Sequence, residues 1–189
     1  MNFSDFHALV ARTRSVRRFK QHEAVPMELL LGLVDCARLS PSPRNQQLLR
    51  FRIVADPQGC AAVFPHLKWA AALTWSGPAE GERAPAYLFF LKPAGAQTAC
   101  DSGIVGQTIK LAASAAGYAS CMLGAIDRPA AHKALALPAD LEIDIAIAIG
   151  KPGETVQLET AVPGSPTHYW RSADDIHHVP KLPRETLLV

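Results

Sequence analysis

Arg12-Thr13-Arg14-Ser15-Val16-Arg17-Arg18-Phe19 packs four guanidinium groups and two hydroxyls into eight residues near the start of the chain. A guanidinium presents a planar fork of donors that suits phosphate and planar carbonyl edges, and a serine hydroxyl adds a short, adaptable donor. Two readings compete: solvated charge at the end of a surface helix, or an extended run pinned to a core beside an anion. The helical pattern of Phe6, Leu9 and Val10 stops just before the cluster, and Ser15, Val16 and Phe19 suit an extended run.

Working outward, 189 residues with 49% apolar content are enough for one globular domain with a real core. Lys plus Arg number 19 against 17 Asp plus Glu, too balanced for a protein that coats nucleic acid or a membrane surface. The basic cluster is therefore local. No run of about 18 apolar residues occurs, and Asp5 and His7 stand where a signal peptide needs a basic end and an apolar block, so a cytoplasmic protein is expected. Cys36, Cys60, Cys100 and Cys121 are widely spaced without a C-x-x-C and read as buried thiols. His177 and His178, adjacent in an extended tail, would face opposite ways, which argues against a shared metal.

Ser4 is the expected N-cap of a first helix ending near Thr13. Pro26 opens a second, with Leu29, Leu30, Leu33, Val34 and Ala37 on one face, stopped by Ser40-Pro41-Ser42-Pro43. Arg44-Asn45-Gln46-Gln47 then makes a polar corner, either hydrogen-bonding equipment or an ordinary turn, before a half-buried strand through Leu49, Phe51 and Ile53. Cys60 to Phe64 suits a short helix. The irregular stretch from Pro65 to Pro85 keeps Trp69 and Trp75 for a lid or partner contact, or for filling the core.

Ala86 to Leu91 reads as a buried strand and Thr98 to Ala116 as a central, mostly buried helix closed by Gly117. Tyr118 to Ala125 is a candidate strand, its Gly124 either a turn residue or a place where backbone meets a ligand. A short helix from Pro129, capped by Asp127, precedes the clearest strand, in which Leu141, Ile143, Ile145, Ile147 and Ile149 alternate with other residues. Gly150-Lys151-Pro152-Gly153 is not a phosphate loop, because Pro152 stands where Ser or Thr is needed. Val162 to Pro166 is loop by composition, and the tail from His168 is aromatic and basic.

Taken together, the motifs resemble the FMN-dependent nitroreductase family, closest to its short-chain subgroup. The matching stretches are Arg14-Ser15-Val16-Arg17-Arg18-Phe19, Ser40 to Gln47, Asp101 with Gln107, Gly117 to Gly124, and His178-Val179-Pro180-Lys181. The resemblance implies an α+β sandwich over residues 1–189, with a central, mostly antiparallel sheet flanked by helices. It also implies an intertwined homodimer whose C-terminal arm, about residues 167–189, is exchanged with the partner.

By the same likeness Arg14 and Ser15 would contact the FMN phosphate and ribityl chain, Arg17 the pyrimidine edge, and Lys181 the phosphate. Arg184 would stand in for a basic residue that the family often has at Leu182. Pro41, Ser42 and Asn45 would come from the partner chain, with Gln47 in the same corner, and Leu123 and Gly124 would offer backbone near flavin N5 and O4. The implied activity is ping-pong hydride transfer from NAD(P)H to FMN N5 and on to a nitroaromatic, quinone or similar small-molecule acceptor, with no catalytic side-chain acid or base. The absence of a G-x-G-x-x-G motif means that nicotinamide would bind transiently in the open pocket, where Trp69 or Trp75 could stack on a flat substrate. The alternatives are a flavoenzyme of the same fold that does not use NAD(P)H, or a non-catalytic flavin-binding dimer.

Overall fold

The structure is a computed structural model that describes residues 1–70 and 73–189. In chain order its elements are α1 (Phe3–Arg12), α2 (Met27–Arg38), β1 (Arg50–Val54), α3 (Pro57–Val63), β2 (Ala86–Pro93), α4 (Ala99–Ala115), β3 (Ala119–Leu123), α5 (Arg128–Ala134), β4 (Leu141–Gly150), β5 (Val156–Thr160), β6 (Trp170–Arg171) and β7 (His177–Lys181). The main sheet runs β1-β2-β4-β3 with every neighbouring pair antiparallel. This is the α+β class that the sequence implied.

Both faces of the sheet are apolar, and period-two alternation sorts the side chains between them. Leu88, Phe90, Ile147 and Ile149 meet Leu30 and Leu33 of α2 and Val105 and Ile109 of α4 on one face. Tyr87, Phe89, Ala146 and Ala148 meet Val63 of α3 and Ala131 of α5 on the other. Tyr87 lies opposite Ala148 and Phe89 opposite Ala146, so each aromatic ring finds its room over an alanine.

The alternation of β4 is not continuous. Phe89 pairs with Ala146 but Leu91 with Ile143, so β4 holds an extra residue there. The bulge reverses the phase. Leu141 and Ile143 join the α3/α5 face, whereas Ile145, Ile147 and Ile149 join the other. Arg128 serves the carbonyls that the bulge exposes, its Nε donating to Ile143 at 3.0 Å and its Nη2 to Asp144 at 2.8 Å.

Several local expectations are corrected. The N-cap of α1 is Asn2, which exchanges hydrogen bonds with Asp5 in a capping box, and Ser4 lies inside the helix. The short helix α3 starts earlier, at Pro57 behind the Asp56 cap. One face of α4 is buried through Val105, Ile109 and Ala113, but Cys100 and Ile104 are exposed, so the helix is half-buried in a single chain and Cys100 is not a buried thiol. Trp69 is in the core against Phe64, and the half-buried Trp75 has the guanidinium groups of Arg18 and Arg171 over its ring. Trp69 therefore has no free face for a substrate.

The tail is ordered on its own chain. β7 pairs in parallel with β5 and antiparallel with β6. The physical reason is a set of long-range anchors: Arg171 Nη2 donates to Glu154 at 2.6 Å, and Arg18 pairs with Asp175. Residues through Lys181 pair with strands of the same chain, and those from Leu182 onward are mostly exposed. Among the described residues no helix is long and apolar enough to cross a membrane.

Candidate cofactor site

The arginine cluster is extended and runs along the outer edge of β3. Ser15 bridges Ser120, Val16 N–H donates to the Ser120 carbonyl at 3.1 Å, and Phe19 bridges Pro152. Val16 and Phe19 are buried as anchors. Gly153 lets the next turn pass beneath: its N–H donates to the Arg18 carbonyl at 2.8 Å, and a Cβ there would lie 2.9 Å from the Phe19 carbonyl carbon. Glu154, its side chain 1% exposed, accepts from the backbone N–H groups of Arg17 and Arg18 at 2.5 and 3.2 Å. One buried carboxylate therefore ties the strap to Arg171 in the tail.

This backbone delivers its side chains to a cleft of about 350 Å³. Arg14 is held by the end of α1, its Nη2 donating to the Val10 carbonyl at 2.6 Å. Arg17 donates from Nη1 to His177 Nε2 at 3.0 Å, and its guanidinium lies 4.6 Å from the centre of the Tyr169 ring. From α4, Lys110 Nζ donates to Ser15 Oγ at 3.4 Å, and Lys181 closes the cleft from β7. Four cationic side chains meet, and no carboxylate is among the lining residues.

The electrostatic consequences follow. Burial lowers the pKa of Lys110, and Arg14, Arg17 and Lys181 push it in the same direction. Burial also lowers that of Arg14. His177 is pushed down to about 4, first by burial and then by Arg17, Arg171 and His178. Because Arg17 can only donate, His177 accepts on Nε2 and carries its proton on Nδ1. That Nδ1 and Arg14 Nε are buried and have no hydrogen-bond partner among the described residues. Crowded cations with an unused buried donor suit a dianionic phosphate, which relieves their repulsion and completes their hydrogen bonds. The residues thus fit the phosphate end of FMN.

Of the residues singled out in the sequence, the structure brings together Arg14, Ser15, Arg17 and Lys181. Pro41, Ser42 and Gln47 lie in a second cleft of about 250 Å³, floored by Asp101 and Val105. There Ser42 Oγ donates to Asp101 Oδ2 at 3.0 Å and accepts from Gln47 N–H at 3.0 Å. Arg44, Asn45 and Gln47 hold φ values of 53°, 54° and 49°, a left-handed backbone uncommon outside glycine. Leu123 is buried and Gly124 is exposed with its carbonyl taken by Arg128; neither lines the cationic cleft. Arg184 is exposed, pairs with Glu185, and also lies outside it.

Lys110, Tyr169 and His177 are the lining residues that sequence reasoning missed. Lys110 left one signal, as the sole basic residue of a helix rich in small and apolar residues. His177 left none, since it meets Arg17 across 160 residues of sequence.

An α+β domain with an antiparallel sheet and a built anion cleft is the class these features define. Residues 10–151 match the model of the nitroreductase family, and the chain belongs to that family. Among solved structures it is similar to a nitroreductase family protein from Clostridium difficile 630, with a TM-score of 0.68 and 19% identity over 100% of this chain and 98% of that one. A nitroreductase family protein from Clostridium novyi NT gives 0.66 and 21%, covering 80% and 86%. An FMN-dependent nitroreductase from C. difficile R20291 gives 0.62 and 20%, covering 82% and 91%. At these identities the likeness is one of fold. Among curated proteins, organic hydroperoxide resistance proteins of Xanthomonas axonopodis pv. citri and X. campestris pv. phaseoli are each 46% identical over 54 residues, 26% of this chain. The match spans only 38% of the length of those relatives.

Proposed function

We propose that the protein is an FMN-dependent oxidoreductase in which NAD(P)H is the donor and a small nitroaromatic, quinone or similar molecule the acceptor. The observation that carries this reading is the convergence of Arg14, Arg17, Lys110 and Lys181 around Ser15 in a cleft without a carboxylate. Bound FMN would supply the two-electron hydride chemistry that no side chain here provides. The chain's own part is to bind and orient: Arg14, Ser15, Lys110 and Lys181 hold the phosphate end, and Arg17, fixed by His177 and Tyr169, sets positive charge beside the ring system.

The reading includes a homodimer. In one chain Pro41, Ser42 and Gln47 lie in a separate cleft from Arg14 and Arg17, and a second copy would bring the two groups together. Leu182, Leu187 and Leu188, exposed at the end of the chain, suit contact with that copy.

The test is an absorbance spectrum of the purified, undialysed protein, followed by anaerobic addition of NADH and then NADPH. Visible flavin bands that bleach on addition are the expected result and name the donor. Flavin that stays oxidised with both donors overturns the nicotinamide step, and a colourless protein that does not take up added FMN overturns the cofactor.

A further inference from the structure

A further cavity, of about 540 Å³, opens on the α3/α5 face of the main sheet and shares no lining residue with the cationic cleft. Strand register says which side chains stand on that face. Arg50 pairs with Leu91 and Arg52 with Phe89, and directly paired residues of an antiparallel ladder project from the same face. Leu91 and Phe89 belong to the core beneath α3 and α5, so both arginines rise from that face as well, at exposed positions. Phe51 and Ile53, the residues between and beyond them, pack on the opposite face.

No helix lines this end of the sheet. The floor is Leu91 of β2 and Leu141 of β4, and one wall is Leu137 and Pro138, in the turn between α5 and β4. Leu137 and Leu141 are half-buried and continue the apolar core into the cavity. The charges are sorted by strand. Arg50 Nη1 donates to the Gln47 and Leu49 carbonyls at 2.8 and 2.9 Å, which orients its fork without neutralising it. Arg50 also borders the Ser42 cleft, whereas Arg52 does not, and the Arg52 side chain has no ion pair or hydrogen bond among the described residues. Asp140, the residue before β4, is the carboxylate of the lining and is likewise unpaired. Because β2 lies between β1 and β4, the arginines and Leu141 stand two strand spacings, about 10 Å, apart.

We propose that this cavity is a site for a linear monocarboxylate of medium chain length, lying across the strands with its carboxylate at Arg52 and Arg50 and its alkyl chain over Leu91, Leu137 and Leu141. A guanidinium fork receives a carboxylate through charge-assisted bonds, and the chain covers apolar surface that no helix covers. Asp140 sets the direction of entry: it repels an anion at the β4 end, so the chain and not the carboxylate lies there, and a dicarboxylate is disfavoured.

Octanoate is the probe, titrated into the isotopically labelled full chain with excess inorganic phosphate to compete for the cationic cleft, and followed by amide chemical shifts. The amides of Arg52, Leu91, Leu137 and Leu141 are expected to shift saturably. Octanol, which has the chain alone, acetate, which has the head alone, and suberate, which adds a second carboxylate, should each bind at least about tenfold weaker. Arg52→Gln, at an exposed position outside the cationic cleft, should weaken octanoate about tenfold, and Asp140→Asn should bring suberate to within about threefold of octanoate. The proposal is overturned if the four amides do not respond saturably, if octanol binds as well as octanoate, or if Arg52→Gln leaves the octanoate affinity unchanged. Suberate that binds the unaltered protein as tightly as octanoate would overturn the assigned direction. FMN uptake is scored separately on the same sample, and its failure would leave these outcomes standing.

Discussion

The cationic cleft and the Ser40–Gln47 corner are both polar sites at the rim of the same sheet, yet they store energy in different ways. In the cleft the backbone is extended and relaxed, and the cost is electrostatic: four cations crowd together, with Lys110 and Arg14 pulled below their ordinary pKa by burial. In the corner no comparable charge gathers, and the cost is conformational, held in the positive φ of Arg44, Asn45 and Gln47. A bound anion relieves the first kind of cost and leaves the second untouched. The two regions should therefore answer substitution differently.

The largest effect is expected for Lys110→Met. Removing one charge-assisted contact should weaken FMN about 10–100-fold, equivalent to about 1.5–3 kcal/mol, while the Tm of the flavin-free protein rises because a buried, repelled ammonium is gone. Titration of FMN into the apoprotein together with thermal melts checks both halves. Loss of affinity with loss of stability would mean that Lys110 is simply part of the packing.

Next is the pH response of the cleft. His177 takes up a proton near 6.5 when unfolded but only near 4 when folded, so between those values the unfolded chain binds more protons and stability falls as pH drops. Thermal melts from pH 7 to 4 should show this slope, and His177→Gln, which keeps an acceptor for Arg17, should flatten it. An unchanged slope in the variant would assign the acid sensitivity elsewhere.

The smallest effect belongs to the corner. Gln47→Gly frees a residue held at φ 49° and should stabilise the protein by about 0.5 kcal/mol, the strain relief being partly offset by the extra freedom of glycine when unfolded. FMN affinity should change less than twofold. A large loss of affinity would erase the distinction between the two regions and make the corner's strained backbone part of the binding surface.

What the sequence made legible follows from distance along the chain. The two long helices, the four strands of the main sheet and the Arg14–Ser15–Arg17 cluster are local patterns, readable from residues within one turn or one pleat, whereas β5, β6 and β7 were not. Lys110 and His177 reach the same cleft from 95 and 160 residues away, and nothing local marks such meetings. The bulge in β4 was hidden for another reason: both faces of the strand are apolar, so a slip in phase between Ile143 and Ile145 leaves no polar residue out of place. Asn2 was missed as the α1 cap because Ser4 satisfies the same rule two residues later.

The pairing of Arg17 with His177 and of Arg18 with Asp175 joins residues 17–18 to β7 and the turn before it, and Glu154 bridges the Arg17 and Arg18 N–H groups to Arg171. A chain made from its N-terminus can complete the main sheet once Gly150 has emerged, but the anion cleft lacks the wall of His177, Val179 and Lys181 until β7 arrives. On the proposed reading, a chain cut short before β7 would fold its main sheet and hold no FMN. If the cleft holds FMN as proposed, flavin colour would then serve as a proofreader's mark, reporting that β7 has docked.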